Sequence, residues 1–179
     1  MIRLRRTSQR AYAASARLAL AGVLVTFAAA CGDSDERAIK NQMSAIAESL
    51  SVPENDGELG RIARLAVLRN VLAPGIAVST GASPRPAAEV PPELVGRDAV
   101  LALVGRWVPP AGGVTIEFVD MQVTLDATRA TAQVYCTARI SSGPDERPVV
   151  DARELTIGFS RIDGSWLIAS VRPEDTLVR

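Results

Sequence analysis

Residues 114–140 read VTIEFVDMQVTLDATRATAQVYCTARI, and their side chains repeat with a period of two. Val114, Ile116 and Phe118 alternate with polar neighbours; after Val119 the apolar set moves to Met121, Val123 and Leu125. Alternation of this kind marks a strand with one buried face. A one-residue phase shift inside it marks a β-bulge, which bends the sheet. Asp126-Ala127-Thr128 turns the chain into a second strand, Arg129 to Ile140. Its even positions, Ala130, Ala132, Val134, Cys136 and Ala138, are small and apolar, so a helix can approach that face closely.

Outward from this pair toward the C-terminus, Ser141 to Pro148 is a polar loop and Leu155, Ile157 and Phe159 alternate again. Asp163-Gly164 is a hairpin signal, and Trp166 to Val171 returns as the last strand. Toward the N-terminus the period becomes helical. Ile39, Met43, Ile46 and Leu50 form one stripe, with Asp33 and Glu36 spaced as a capping box and Pro53 as the stop. Asn55-Asp56-Gly57 turns the chain into a second helix from near Glu58, with Leu59, Ile62, Leu65, Leu68 and Leu72 expected inside. Arg61, Arg64 and Arg69 then form its solvated face, and Pro74-Gly75 ends it. Ile76 to Ser79 is a short strand, and the proline-rich stretch from Gly81 to Pro92 is a loop. Gly96-Arg97-Asp98 opens a third helix carrying Val100, Leu103, Val104 and Trp107. Pro109-Pro110 and Gly112-Gly113 close it. Helices first and a long meander after predict an α+β domain: about three N-terminal helices on a curved antiparallel sheet.

The balance of 20 basic and 20 acidic residues hides a segregation. Arg3, Arg5, Arg6, Arg10 and Arg17 lie in the first thirty residues with no acid, leaving 15 basic against 20 acidic residues from Cys31 onward, a net of −5. An acidic domain without basic clusters does not neutralise phosphates, so nucleic acid is excluded as a partner. Leu18 to Ala30 (LALAGVLVTFAAA) carries no charge. An arginine-rich start, a short apolar run and small residues before a cut are the pattern of an export signal. Thirteen apolar residues fall short of the roughly 20 needed to span a bilayer as a helix. Ala28-Ala29-Ala30-Cys31-Gly32-Asp33 resembles the lipobox of bacterial lipoproteins, departing from it at Ala28, where leucine is usual. The resemblance implies a signal peptide over 1–30, a lipidated tether over 31–35 with the acyl chains on Cys31, and a domain over 36–179. Cleavage nearby by an ordinary signal peptidase and an uncleaved anchor are the alternatives. Gly32 after the cysteine is similar to lipoproteins sorted to the outer membrane, which implies a cell-envelope address on its periplasmic face. With Cys31 acylated, Cys136 has no disulfide partner and is expected in the core.

The order of elements, with Gly96-Arg97-Asp98-Ala99-Val100 opening a helix and Asp163-Gly164-Ser165-Trp166-Leu167-Ile168 in the final hairpin, resembles the nuclear transport factor 2-like superfamily. Its polyketide-cyclase-like and ketosteroid-isomerase-like groups share a helix-opening Gly-x-x-x-Ile/Val and a terminal Gly-x-Trp-x-Ile. The resemblance covers residues 36–174 and implies a cone with a pocket. The fold hosts enzymes, binding modules and scaffolds alike.

The chain has no histidine. That removes histidine-based nucleophile systems and the commonest metal ligand, and neither a CxxC pair nor a glycine-rich phosphate loop replaces them. No metal or cofactor is expected. Isomerase-like members use a carboxylate base at the end of the first strand and a tyrosine from the first helix. Ile76 to Thr80 offers hydroxyls but no carboxylate, and Tyr135 is the only tyrosine beyond the signal segment. Among other carboxylates, Asp120 points into a pocket if the phase shift falls on it, and otherwise faces solvent with Glu117. Asp151, Arg153 and Glu154 read as an edge strand defended by charge, Arg139 as part of a polar outer face, and Trp107 and Trp166 as core. The candidate pocket set is Ser79, Thr80, Trp107, Phe118, Asp120 and Phe159. Three functions are consistent with these readings. The first is an envelope lipoprotein, held by its N-terminal lipid, whose non-catalytic domain binds a small apolar ligand or a partner protein. The second is a polyketide-cyclase-like or isomerase-like enzyme using Asp120 with Ser79 or Thr80. The third is a structural homodimer with a filled pocket.

Overall fold

The computed structural model describes residues 34–80, 92–143 and 148–174. By its contacts the chain divides into Met1–Arg37 and Ala38–Arg179, and the architecture below is that of the second unit. Residues 1–33, on which the expected signal peptide, Cys31 and Asp33 fall, and most of the proline-rich stretch lie outside the described residues.

Helix α1 (34–50) is followed by α2 (Glu58–Val71), β1 (Leu72–Ser79), β2 (Glu93–Val95), α3 (Arg97–Arg106), β3 (Val114–Leu125), β4 (Thr131–Ser142), β5 (Val149–Ile162) and β6 (Ser165–Pro173). The six strands form one curved sheet in the order β2-β1-β6-β5-β4-β3. Ile39, Met43 and Ile46 of α1 and Leu68 of α2 meet Ala132, Val134, Cys136, Ile157, Phe159, Trp166 and Ile168 in a single core. The even face of β4 is buried as its small side chains require, and Cys136 lies in it as a free thiol.

The bulge sits where the phase shift places it. Val119 pairs with Thr137 and Gln122 with Tyr135, so Asp120 and Met121 together oppose Cys136. Asp120 takes a positive φ of 54°, and Phe118 and Met121 thereby both reach the core. At the β3–β4 turn, Asp126 Oδ1 accepts from the amides of Ala130 and Thr131 at 2.9 and 3.0 Å, and its Oδ2 accepts from the Thr128 hydroxyl. The β5–β6 hairpin turns at Asp163 (φ 50°) and Gly164 (φ 81°), the left-handed pair that a two-residue hairpin needs.

Three expectations are corrected. The sheet is mixed, because β1 runs parallel to β6; alternation and turn residues specify only sequential antiparallel neighbours, so this pairing carries no local signal. Strand β1 begins at Leu72, directly after α2. Pro74 forces the residue before it toward extended backbone, and Pro74 and Gly75 lie where the β1–β6 register shifts and no ladder bond is needed. On α2 only the later part of the apolar set faces the core, with Leu68 buried and Leu65 half-buried. Leu59 and Ile62 are 83% and 55% exposed, while Arg64 is half-buried in a two-bond ion pair with Asp56. That guanidinium holds the Asp56 carboxyl below its ordinary value, and the pair locks the turn before the helix. Strand β5 lies between β4 and β6, and the charged stretch Asp151, Arg153 and Glu154, read as an edge, is the part that runs past β6 with β4 alone beside it.

Candidate functional site

Strand register sorts the wall of the concave face into levels. Val78, Val171, Ile157, Val134 and Val123 stand abreast on β1, β6, β5, β4 and β3. Next come Pro173, Leu155 and Cys136; then Arg153, Ala138 and Phe118; and last Asp151, Ile140 and Ile116. Residues directly opposite on neighbouring strands share a face, so every one of these stands on the core side.

Solvent enters along β5, where Leu155 is half-buried and Arg153 and Asp151 are exposed, while Cys136 and Ala138 beside them on β4 stay buried. Ile157, Val134 and Cys136 are buried, whereas Val78, Val171, Leu155 and Phe118 are half-buried although they pack against the core. Val100, Leu101 and Val104 of α3 are in the same condition. Apolar side chains that face inward and still meet water define an open end. At its rim stand Arg153 and Asp151, two residues apart and therefore on one face of β5. Arg153 Nε donates to Asp151 Oδ2 at 3.1 Å, with the two side chains 49% and 55% exposed. On β4, beside Leu155, burial pushes the Cys136 thiol up to about 11, which disfavours the thiolate at neutral pH.

The candidate pocket residues are dispersed. Phe118 belongs to the wall, on the level of Arg153. Phe159 is 1% exposed and forms the floor. Thr80 continues the inward phase of Ile76 and Val78, and its Oγ1 donates to the Pro92 carbonyl at 3.2 Å. Ser79 follows the opposite phase and pairs with Glu93 of β2, so it faces away from the core. Asp120 is exposed in the bulge. Strands β1 and β3 are four lanes apart, roughly 19 Å at about 4.8 Å per strand, so Asp120 does not meet Ser79 or Thr80. Trp107 follows the last turn of α3 and is 46% exposed; the helix ends before the stripe that would have buried it. Trp166 is in the core as expected, with the Arg161 guanidinium 5.5 Å from its ring centre. Glu117 and Arg139 stand opposite each other in the β3–β4 register, on the outer face.

Arg153 and Leu155 were missed as site residues, although a signal for them exists. Asp151 and Arg153 are in phase with Leu155, Ile157 and Phe159, so the charge is carried by the buried face of the strand and not by its solvent face. Two grooves also follow the β3 edge. One of 490 Å³ is lined by Ser51, Val52, Glu54 and Thr115 among others. A second, of 380 Å³, lies between α1 and β3 against Ala47, Phe118 and Met121. Among the described residues no cluster of acids and cysteine could hold a metal ion, and no helix is long and apolar enough to cross a membrane.

Comparison with known proteins places this geometry. A family model described as the SnoaL-like domain matches residues 63–172. No curated protein matches. Among solved structures, an NTF2-like protein with a cystatin-like fold from Novosphingobium aromaticivorans superposes with a TM-score of 0.62 at 14% identity. That alignment covers 89% of this chain and 90% of the other. A candidate scytalone dehydratase from the same organism gives 0.55 at 16% identity, over 83% and 91%. The association domain of C. elegans CaMKII gives 0.56 at 9% identity, over 79% and 96%. At such identities the likeness is one of fold.

Proposed function

Because the chain belongs to the SnoaL-like domain family, within the nuclear transport factor 2-like fold, we propose that its open concave end binds a small, largely apolar molecule without transforming it. The observation that carries this reading is the inward-facing, half-buried apolar wall of Val78, Leu155, Val171, Leu101 and Val104. Burying such a wall against a ligand gains about 25 cal/mol per Å² removed from water. A dehydratase-like reaction, of the kind named for one structural neighbour, calls for a carboxylate shielded from water and free to take a proton. Asp120 is exposed, and Asp151 is half-exposed and held by Arg153.

The same proposal includes the address. The domain hangs from the cell envelope by lipid on Cys31, on the strength of the lipobox-like Ala28-Ala29-Ala30-Cys31 and the arginine-rich segment before it. Cys31→Ser is expected to move the protein from the membrane fraction to a soluble or unprocessed form. Mature Cys31→Ser protein remaining on the membrane would overturn the anchor. For the ligand, native mass spectrometry of purified Cys31→Ser protein should show a stoichiometric extra mass that leaves on activation. A homodimer carrying no extra mass would replace this reading with the structural one.

A further inference from the structure

The rim pair specifies what kind of molecule the concave end takes. Arg153 stands in register with Ala138 and Phe118 on the core side of the sheet, one level above Leu155. Among the described residues its one polar contact is the single bond from Nε to Asp151. Both Nη atoms are therefore without a partner among the described residues. A guanidinium is a planar fork that can meet a carboxylate through two parallel N–H donors, and here both Nη atoms remain for that use. Asp151 offsets one charge of the site, so the rim suits a monoanion better than a doubly charged phosphate.

We infer, resting on the ligand-binding reading above, that the molecule bound is an amphiphile with a carboxylate head. Its apolar body lies on Leu155, Val171 and Val78, and its carboxylate is taken by the Nη atoms of Arg153. Asp151 holds the guanidinium at the rim through Nε and leaves the outer donors to the ligand. The charged head then remains partly hydrated while the body is desolvated. This division matches the exposure of the wall, which falls from the half-exposed rim pair to the buried Ile157.

Decanoate and decanol share a chain and differ in the head, so titrating both into Cys31→Ser protein separates the two claims. Calorimetry should show decanoate binding tighter than decanol by up to about fivefold, the upper end for a half-exposed ion pair. Arg153→Met should abolish that difference and leave decanol binding unchanged. Asp151→Asn, which removes the opposing carboxylate and keeps an acceptor, should tighten decanoate and not decanol. Equal affinities for the two probes in the unaltered protein would overturn the carboxylate inference while keeping the apolar site. An Arg153→Met protein that retains its preference for decanoate would also overturn it. Binding of neither probe would remove the ligand-binding reading itself. Both variants alter half-exposed side chains, and unchanged melting without ligand will show that the fold is intact.

Discussion

Arg97 stands in the first turn of α3, and its Nε is buried without a hydrogen-bond partner. An unsatisfied buried donor costs about 1–3 kcal/mol, so Arg97→Met should raise the unfolding midpoint in urea with little change in slope. A lower midpoint would mean that the guanidinium does stabilising work elsewhere. Cys136 is the opposite case, a polar atom at ease in an apolar setting. It is fully buried, and burial lifts its pKa from 9.0 to about 11. In Cys31→Ser protein, where it is the single thiol, Ellman's reagent should react at pH 8 only after denaturant is added. The linkage has a definite sign: a raised folded pKa gives stability below the unfolded value that is lost as pH rises through the folded one. Relative to Cys136→Ala, the protein should therefore lose stability between pH 9 and about 11.

Helix α2 shows how an element can carry a periodic pattern and still bury only part of it. At about 100° per residue a spacing of three drifts round the helix. Leu59 and Leu68 therefore stand on opposite sides, the first exposed with Ile62 and the second buried. The Asp56–Arg64 pair fixes the start of the helix, and the passage into β1 at Leu72 fixes its end. Between those constraints the rotation of the helix is set by tertiary contacts. Leu68→Ala is expected to cost about 2–5 kcal/mol, as in other buried leucine truncations. Leu59→Gln and Ile62→Gln should stay within about 0.5 kcal/mol of the parent in the same denaturation assay. The β3–β4 turn supplies a pH test. The Thr128 hydroxyl and the amides of Thr131 and Ala130 hold the Asp126 carboxyl below its ordinary value of 3.8. A depressed folded pKa gives stability that is full above the unfolded value and lost as pH falls through the folded one. Asp126→Asn should therefore be less stable than the parent at neutral pH, with the gap closing as pH falls below 3.8.

At the scale of the whole molecule, one face of a bent sheet does two jobs. Toward Phe159 and Ile168 it is sealed by α1 and α2, and along β5 from Leu155 to Arg153 it meets solvent. A ligand that fills the open end binds only the folded state, and its binding stabilises that state by mass action. At about a hundredfold its Kd the gain is roughly 2.7 kcal/mol. Decanoate at that excess should raise the melting temperature of the parent. At the same concentration it should raise that of Arg153→Met distinctly less, and equal shifts would argue that the chain alone is recognised.

By itself the sequence determined the elements whose signals are local. The Val119–Gln122 bulge follows from a change of phase, the small buried face of β4 from its even residues, and the last hairpin from Asp163-Gly164. The helix after Gly96 and the family likeness follow from short motifs of the same kind. Alternation and turn chemistry act between neighbours in the chain, so they are legible there. What only the tertiary structure decided are relations between distant segments. The parallel pairing of β1 with β6, the rotation of α2, the distance separating Asp120 from Ser79, and the place of Arg153 at an open rim all depend on them. Each is fixed by which surfaces meet when the sheet curves over its helices, and a one-dimensional pattern does not carry that information.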